Sequence, residues 1–258
     1  MIESNIDSLV NHNICSLHST KNVNIESIEL KNAKRAVCIM SGGIDSALCA
    51  YIAKNQGFEI IALHFDYAQR TQTKERECFY ALCDDLKPIS RVLLNVDFIA
   101  HIGGSSLTNS ELTIRKNFTD IRESKEIPNT YVPFRNGIFL SIASALAEKE
   151  QCEAIFIGVV QEDSSGYPDC THAFIDKMQA AVNEGRGYSN TRIFAPLLHK
   201  NKCEIIELAL EHGVPISSTW SCYESQDLAC GLCDSCILRL DGFKMAGKSD
   251  PILYRIFT

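Results

Sequence analysis

Hydrophobic and polar positions along the chain fall into alternating strand-like and helix-like stretches. Ala36-Val-Cys-Ile-Met40 is a short apolar run that stops at Ser41-Gly42-Gly43, the pattern of a buried strand entering a glycine turn. A helix is expected from Asp45 to Asn55, ahead of Gly57. Glu59-Ile-Ile-Ala-Leu-His-Phe65 predicts a second strand. Thr71 to Leu86 predicts a second helix, with Phe79, Leu82, Cys83 and Leu86 on one face at i, i+3, i+4 and i+7. Arg91 to Val96 reads as a third strand. After Pro133 the helical period returns in Asn136 to Glu148, followed by a fourth strand from Ala154 to Val159. Further helices are expected over Ala173 to Asn183 and Lys202 to His212, the last closed by Gly213. Strands that alternate with helices imply an α/β fold, a Rossmann-like parallel sheet with helices on both faces.

Two stretches lack this regularity. Met1 to Lys34 is polar and rich in Asn and Ser, so it is expected to be an N-terminal arm. Phe98 to Asn129 is irregular and carries Gly103-Gly104-Ser105-Ser106, which suits either a functional lid or a disordered loop. Beyond Pro215 the composition turns to Ser, Thr, Trp and Cys. The expected organisation is therefore an arm over 1–34, a nucleotide-binding α/β domain over 35–215 and a small C-terminal module over 216–258.

Composition narrows the function classes. With 258 residues, 45% hydrophobic and 22% charged, the chain is neither disordered nor fibrous. Lys+Arg at 25 against Asp+Glu at 32 leaves a net charge of −7, which argues against stable nucleic-acid binding. The apolar run Ala154 to Val160 is far shorter than the ~20 residues that span a bilayer. The N-terminal residues hold no apolar core of a secretory signal, so a cytoplasmic protein without a membrane partner is expected. Its 12 cysteines are then expected to be reduced thiols rather than disulfides.

Two motifs carry chemistry. Ser41-Gly-Gly-Ile-Asp-Ser46 joins a strand end to a helix start, where backbone N–H groups, two hydroxyls and the helix dipole can cradle phosphate. It has neither the lysine of a Walker loop nor the third glycine of a dinucleotide fingerprint. Asp45 beside a phosphate is either a metal-side residue or an N-terminal helix cap. The second strand ends at His64-Phe-Asp-Tyr67, where an open α/β sheet presents ligand-binding groups. Cys222, Cys230, Cys233 and Cys236 have the spacing C-x7-C-x2-C-x2-C. Four thiolates in that pattern favour a structural Zn²⁺, and an Fe–S cluster is the competing reading. The other eight cysteines are expected to pack as small hydrophobes. Cys170, in a loop, has no assignable base that would make it a nucleophile.

The Ser-Gly-Gly-x-Asp-Ser loop resembles that of the adenine-nucleotide α-hydrolase, or PP-loop, superfamily. Phe65-Asp-Tyr67 with Gln69-Arg70, Tyr131-Val-Pro133 with Arg135-Asn136, Ser165-Gly-Tyr-Pro-Asp-Cys170, Pro196-Leu197 with Lys202, Trp220-Ser-Cys-Tyr-Glu224 and the four cysteines extend the likeness. Together they resemble the 7-cyano-7-deazaguanine synthase family over Arg35 to Phe243.

The resemblance implies a ligase of queuosine biosynthesis. It would turn 7-carboxy-7-deazaguanine and ammonia into the nitrile through adenylated acid and amide intermediates. ATP would be co-substrate, with Mg²⁺, and one structural Zn²⁺ per chain would be held by Cys222, Cys230, Cys233 and Cys236. Asp45, Ser46 and Lys202 would be catalytic. ATP would be bound by Met40, Ser41, Gly42, Gly43, Ile44, Asp45, Ser46, Ala47, His64 and Arg135. The deazapurine would meet Phe65, Tyr67, Gln69, Arg70, Asn136, Tyr167 and Asp169. Partners would be these small molecules and a second copy in a homodimer. The chain departs from the family pattern at Phe134, Val160, Ser164 and Thr171. Other readings are another PP-loop amidoligase, a tRNA-thiolation enzyme, or a degenerate ATP-binding interaction module, against which intact Ser41, Asp45 and Ser46 argue.

Overall fold

A computed structural model describes residues 35–116, 127–161, 166–187 and 191–255; the expected arm over 1–34 lies outside the described residues. The elements are β1 (Arg35–Ile39), α1 (Ile44–Asn55), β2 (Glu59–Asp66), α2 (Gln72–Leu86), β3 (Ser90–Asn95) and α3 (Phe98–Ile102). They continue with α4 (Arg135–Lys149), β4 (Ala154–Phe156), α5 (His172–Glu184), β5 (Arg192–Phe194), α6 (Lys202–Glu211) and α7 (Asp234–Met245). All strand pairs are parallel, in the order β3-β2-β1-β4-β5.

Both faces of the sheet are covered, which is why its strands read as continuous apolar runs. Ala36, Cys38, Ile60 and Ala62 face a core shared with α1, α2 and α6. Val37, Ile39, Ile61 and Leu63 face the other core, with Leu140 and Ala143 of α4 and Ile175 of α5. A third cluster gathers Trp220 and the four clustered cysteines with Ile114 and Tyr254.

Chain direction across the sheet reverses between β1 and β4, so the loops after these strands diverge and leave a crevice at their carboxyl ends. Gly158, just after β4, closes that corner. A Cβ there would lie 2.8 Å from the Asp45 carbonyl carbon and from Ser46 N. Only glycine lets this backbone abut the start of α1.

Several elements differ from expectation. The fourth strand ends at Phe156, three residues early, because its neighbour β5 ends at Phe194, whose carbonyl takes the last ladder bond from Ile157 N–H. α3 and β5 are too short to leave a period. α7 has no apolar stripe in the sequence, since it begins in the cysteine cluster and buries Arg239. The irregular stretch after β3 is partly a strap. Arg115 pairs with Asp234 at 3.2 Å and Lys116 with Glu224 at 2.7 Å, which ties the crossover to the C-terminal segment.

Candidate active site and cysteine centre

A cavity of about 270 Å³ fills the crevice between β1 and β4. Its wall includes Met40, Ser41, Gly43, Ile44, Asp45 and Ser46 from the first loop, Phe65 and Tyr67 after β2, and Arg135 and Asn136 at the start of α4. Tyr167, Cys170, Lys202 and Val160 complete the part that sequence reasoning reached.

The loop is held by its own hydroxyls. Ser41 N–H donates to Ser46 Oγ at 3.0 Å, and Ser46 Oγ donates to Gly43 O at 3.1 Å. Gly42 has φ +87°, and a Cβ there would meet Glu75 O at 2.6 Å, so the turn needs glycine. Trp220 N–H donates to Gly42 O at 2.9 Å, which fastens the loop from the C-terminal side. The free N–H groups at the start of α1 therefore face the cavity with their dipole.

Asp45 is not a helix cap. Gly43 occupies that position, and both Asp45 oxygens receive Lys202 Nζ, at 2.9 and 2.8 Å. Lys202 opens α6, whose start is set by a capping box between Asn201 and Glu204. The charge conflict expected of a carboxylate beside phosphate is thus relieved inside the protein by an ammonium.

Arg135 Nη1 donates to Tyr67 OH at 3.1 Å, and its guanidinium lies over the Tyr67 and Phe139 rings. Burial disfavours its charge, but Tyr67, Tyr167, Tyr223 and Asp169 hold the proton on. No carboxylate forms a salt bridge with it among the described residues, so its charge is open to an anion in the cavity. Burial pushes the Tyr67 hydroxyl up to about 12, which keeps it a neutral partner. Phe65 stacks on Phe139 with centroids 4.1 Å apart and gives the cavity a flat apolar wall.

Six of the expected ligand-contacting residues do not line the cavity. Gly42 is the one residue of the loop that does not line the cavity, and Ala47 is fully buried in the core. His64 sits beneath the loop, Nδ1 2.8 Å from Met40 O. Gln69 Oε1 accepts from Tyr67 N–H and its Nε2 donates to Glu75, which sets the turn after β2. Arg70 reaches instead to the carbonyls of Asn109 and Leu112. Asp169 is spent as a remote cap, its Oδ2 accepting from Asn136 N–H at 2.9 Å. Cys170 lines the cavity, but its thiol is pushed up to about 12 by burial and by Asp169, the opposite of an activated nucleophile.

Among the family departures, Thr171 caps α5 through Phe174 N–H, Phe134 opens α4 with φ +54°, and Val160 faces the cavity. Ser164 lies outside the described residues. Sequence reasoning missed Gly158, Glu75, Trp220, Tyr223 and Arg239 as wall residues. A lone glycine inside the apolar run Ala154 to Val160 was the available signal for Gly158. Trp220 and Tyr223 lie in the Trp220-Ser-Cys-Tyr-Glu224 motif, which did not mark them as wall residues, and no local signal marks Glu75 or Arg239.

The four cysteines converge as their spacing suggests. Their sulfurs lie within 4.8 Å of one another, and all four residues are buried. Cys230 Sγ and Cys236 Sγ are 3.9 Å apart, which matches the ~3.8 Å edge of a tetrahedron of sulfurs each ~2.3 Å from one ion. A multi-iron cluster would hold them apart by its own width. Glu224, Ser225 and Cys230 N–H groups point at Cys222 Sγ, and Leu232 and Cys233 N–H groups at Cys230 Sγ. Hydrogen bonds from the other three thiols and from Cys230 N–H pull the Cys222 thiol well below its ordinary range. The set can hold one metal ion with no open coordination position.

A family model described as queuosine biosynthesis protein QueC matches residues 35–247. The 7-cyano-7-deazaguanine synthase of Campylobacter hominis is 60% identical over 221 residues, covering 85% of this chain and 99% of its own length. That of Campylobacter jejuni is 58% identical over 225 residues, covering 86% and 99%. The enzyme of Campylobacter concisus is 53% identical over 223 residues, with 86% and 99% covered.

Proposed function

The chain belongs to the QueC family of queuosine biosynthesis proteins, and we propose that the cavity between β1 and β4 is where it joins ammonia to a deazapurine acid. The protein is an ATP-dependent ligase that forms carbon–nitrogen bonds, as are the relatives named 7-cyano-7-deazaguanine synthase. The observation that carries the site assignment is that one cavity is walled at once by the Ser41 to Ser46 loop, by the Lys202–Asp45 pair and by the guanidinium of Arg135, which has no salt bridge among the described residues.

A carboxylate resists amidation because its oxygens are poor leaving groups. In the proposed sequence the acid of 7-carboxy-7-deazaguanine attacks the α-phosphate of ATP, and pyrophosphate leaves into the loop made by Ser41, Gly43, Ile44 and Ser46. Ammonia attacks the acyl carbon, AMP departs, and an amide remains. The amide oxygen attacks the α-phosphate of a second ATP, pyrophosphate and a proton leave, and loss of AMP and the remaining N–H proton gives the nitrile. Catalysis here is positioning and charge stabilisation. Lys202 and the N-terminus of α1 face the charge that develops on the phosphates. Arg135 holds the anion being activated, and the Phe65, Tyr67, Phe139 and Tyr167 wall packs the flat base. Mg²⁺ supplied with ATP would neutralise further phosphate charge, with Asp45 the carboxylate beside the loop.

For the cysteine centre the proposal is one structural Zn²⁺ per chain on Cys222, Cys230, Cys233 and Cys236. The all-sulfur donor set and the single-ion spacing support it. The proposal also keeps the division into an arm over 1–34, a nucleotide-binding domain over 35–215 and a metal module over 216–258. It includes a homodimer, a cytoplasmic location and no stable nucleic-acid partner. The net charge of −7 supports the last of these. No described helix is long and apolar enough to cross a membrane.

Protein supplied with 7-carboxy-7-deazaguanine, ATP, Mg²⁺ and ammonium is expected to release AMP and pyrophosphate and to form the nitrile, followed by mass spectrometry. Release of ADP, or amidation of a different acid while this one is left untouched, would overturn the assignment. Metal analysis is expected to find about one zinc per chain. Iron with acid-labile sulfide in anaerobically purified protein would overturn the zinc reading.

A further inference from the structure

His64 lies outside the cavity, buried under the phosphate loop, with one ring nitrogen on the loop backbone and the other beside Asp66. Its Nδ1 is 2.8 Å from Met40 O, an atom that can only accept, so Nδ1 carries the hydrogen. Its Nε2 is 3.5 Å from Asp66 Oδ1, and the other Asp66 oxygen is paired with Arg76. Phe79 stacks on the ring at 4.9 Å and prevents it from turning. The side chains of His64 and Asp66 are 1% and 5% exposed, so neither is in reach of a ligand.

The bond to Met40 O matters because of what lies on the far side of the same peptide. The carbonyl of Met40 and the N–H of Ser41 belong to one rigid plane and point in opposite directions. Holding the carbonyl from below therefore fixes where the Ser41 N–H points above. That N–H meets Ser46 Oγ at 3.0 Å, and Ser46 Oγ in turn meets Ser41 Oγ at 3.1 Å and Gly43 O at 3.1 Å. One hydrogen-bonded chain runs from His64 through the 40–41 peptide to the Ser41 and Ser46 hydroxyls.

We propose that His64 is a positioning residue, which sets the plane of the 40–41 peptide and through it the Ser41 N–H bond to Ser46 Oγ that shapes the loop for the leaving pyrophosphate. Phe79 packs on the ring, and the Asp66–Arg76 pair lies beside it, outside the cavity. This rests on the reading of Ser41 to Ser46 as the phosphate loop. Preorganised donors of this kind act only when their direction is set before the charge arrives.

The test uses the full chain with its metal and measures the binding of inorganic pyrophosphate and of AMP separately by titration calorimetry. His64→Leu removes the donor, whereas His64→Asn keeps an amide N–H near the position of Nδ1. His64→Leu is expected to weaken pyrophosphate about tenfold, as loss of one hydrogen bond implies, and to leave AMP within about twofold. His64→Asn is expected to restore most of the pyrophosphate affinity. A merely structural role would weaken both ligands together or leave His64→Asn as poor as His64→Leu, and either result would overturn the inference. Ser46→Ala separates the two readings. If it weakens pyrophosphate while His64→Leu does not, the positioning role alone falls. If Ser46→Ala leaves pyrophosphate binding unchanged, the loop assignment falls, and this inference with it.

Discussion

Gly158→Ala adds a single carbon to the corner where β4 meets the start of α1. The new Cβ would sit 2.8 Å from the Asp45 carbonyl carbon and Ser46 N and 2.9 Å from Ser46 Cα, all of them backbone atoms. Ordinary contact begins near 3.4 Å, so the two segments must separate by about 0.6 Å, the difference between 3.4 and 2.8 Å. No flexible side-chain end can absorb this. Interiors are close-packed, and a forced insertion of this size typically costs ~1–3 kcal/mol. The displaced atoms belong to the phosphate loop itself. Since a misplacement of 1 Å can cost ~10²-fold in rate, kcat/KM for ATP is expected to fall about 10- to 100-fold. The assays are pyrophosphate release for activity and urea denaturation for stability. Gly187→Ala is the control, because its Cβ would meet nothing closer than 3.6 Å. If Gly158→Ala retained kcat/KM within twofold and the same denaturation midpoint, the close approach of β4 to the loop would not be a constraint.

Three further outcomes follow from the same geometry. Lys202→Met removes the ammonium that meets both oxygens of Asp45 and leaves that carboxylate facing phosphate. A loss of about 10²-fold in kcat/KM is expected, and an unchanged rate would contradict it. Asp250→Ala breaks a pair in which Arg239 Nε and Nη2 reach the carboxylate at 2.6 and 2.9 Å, with side chains 2% and 3% exposed. Stranding that guanidinium should cost ~3–5 kcal/mol in urea denaturation, and a change below about 1 kcal/mol would refute it. Cys170, pushed up to about 12, carries roughly 10⁻⁴ of its population as thiolate at pH 8. Alkylation of the folded protein should therefore spare Cys170 at pH 8 and rise about tenfold per pH unit until the thiol titrates; peptide mass mapping that finds it modified at pH 8 would count against this.

The α/β alternation was legible because each strand and helix carries its own period, and the core face of α2 falls where that period puts it. α7 was not, since its burial depends on Arg239 meeting Asp250, and an arginine in the sequence reads as exposed. Likewise Asp169 reads as a ligand contact in its loop, yet the fold brings it to cap α4, where an orphan backbone N–H needs a partner.

Sequence by itself determined what is contiguous. The Ser41 to Ser46 turn and the C-x7-C-x2-C-x2-C spacing carry their chemistry in a few neighbouring residues, and both take shape as their composition dictates. Only the tertiary structure decided what those motifs touch. Lys202 neutralises Asp45 from 157 residues away, Gly158 abuts the loop from the neighbouring strand, and His64 braces it from below. The reason is the strand order β3-β2-β1-β4-β5, which places the ends of β1 and β4 side by side although a crossover of more than a hundred residues separates them. No local period encodes that adjacency; it arises from the burial of both sheet faces at once.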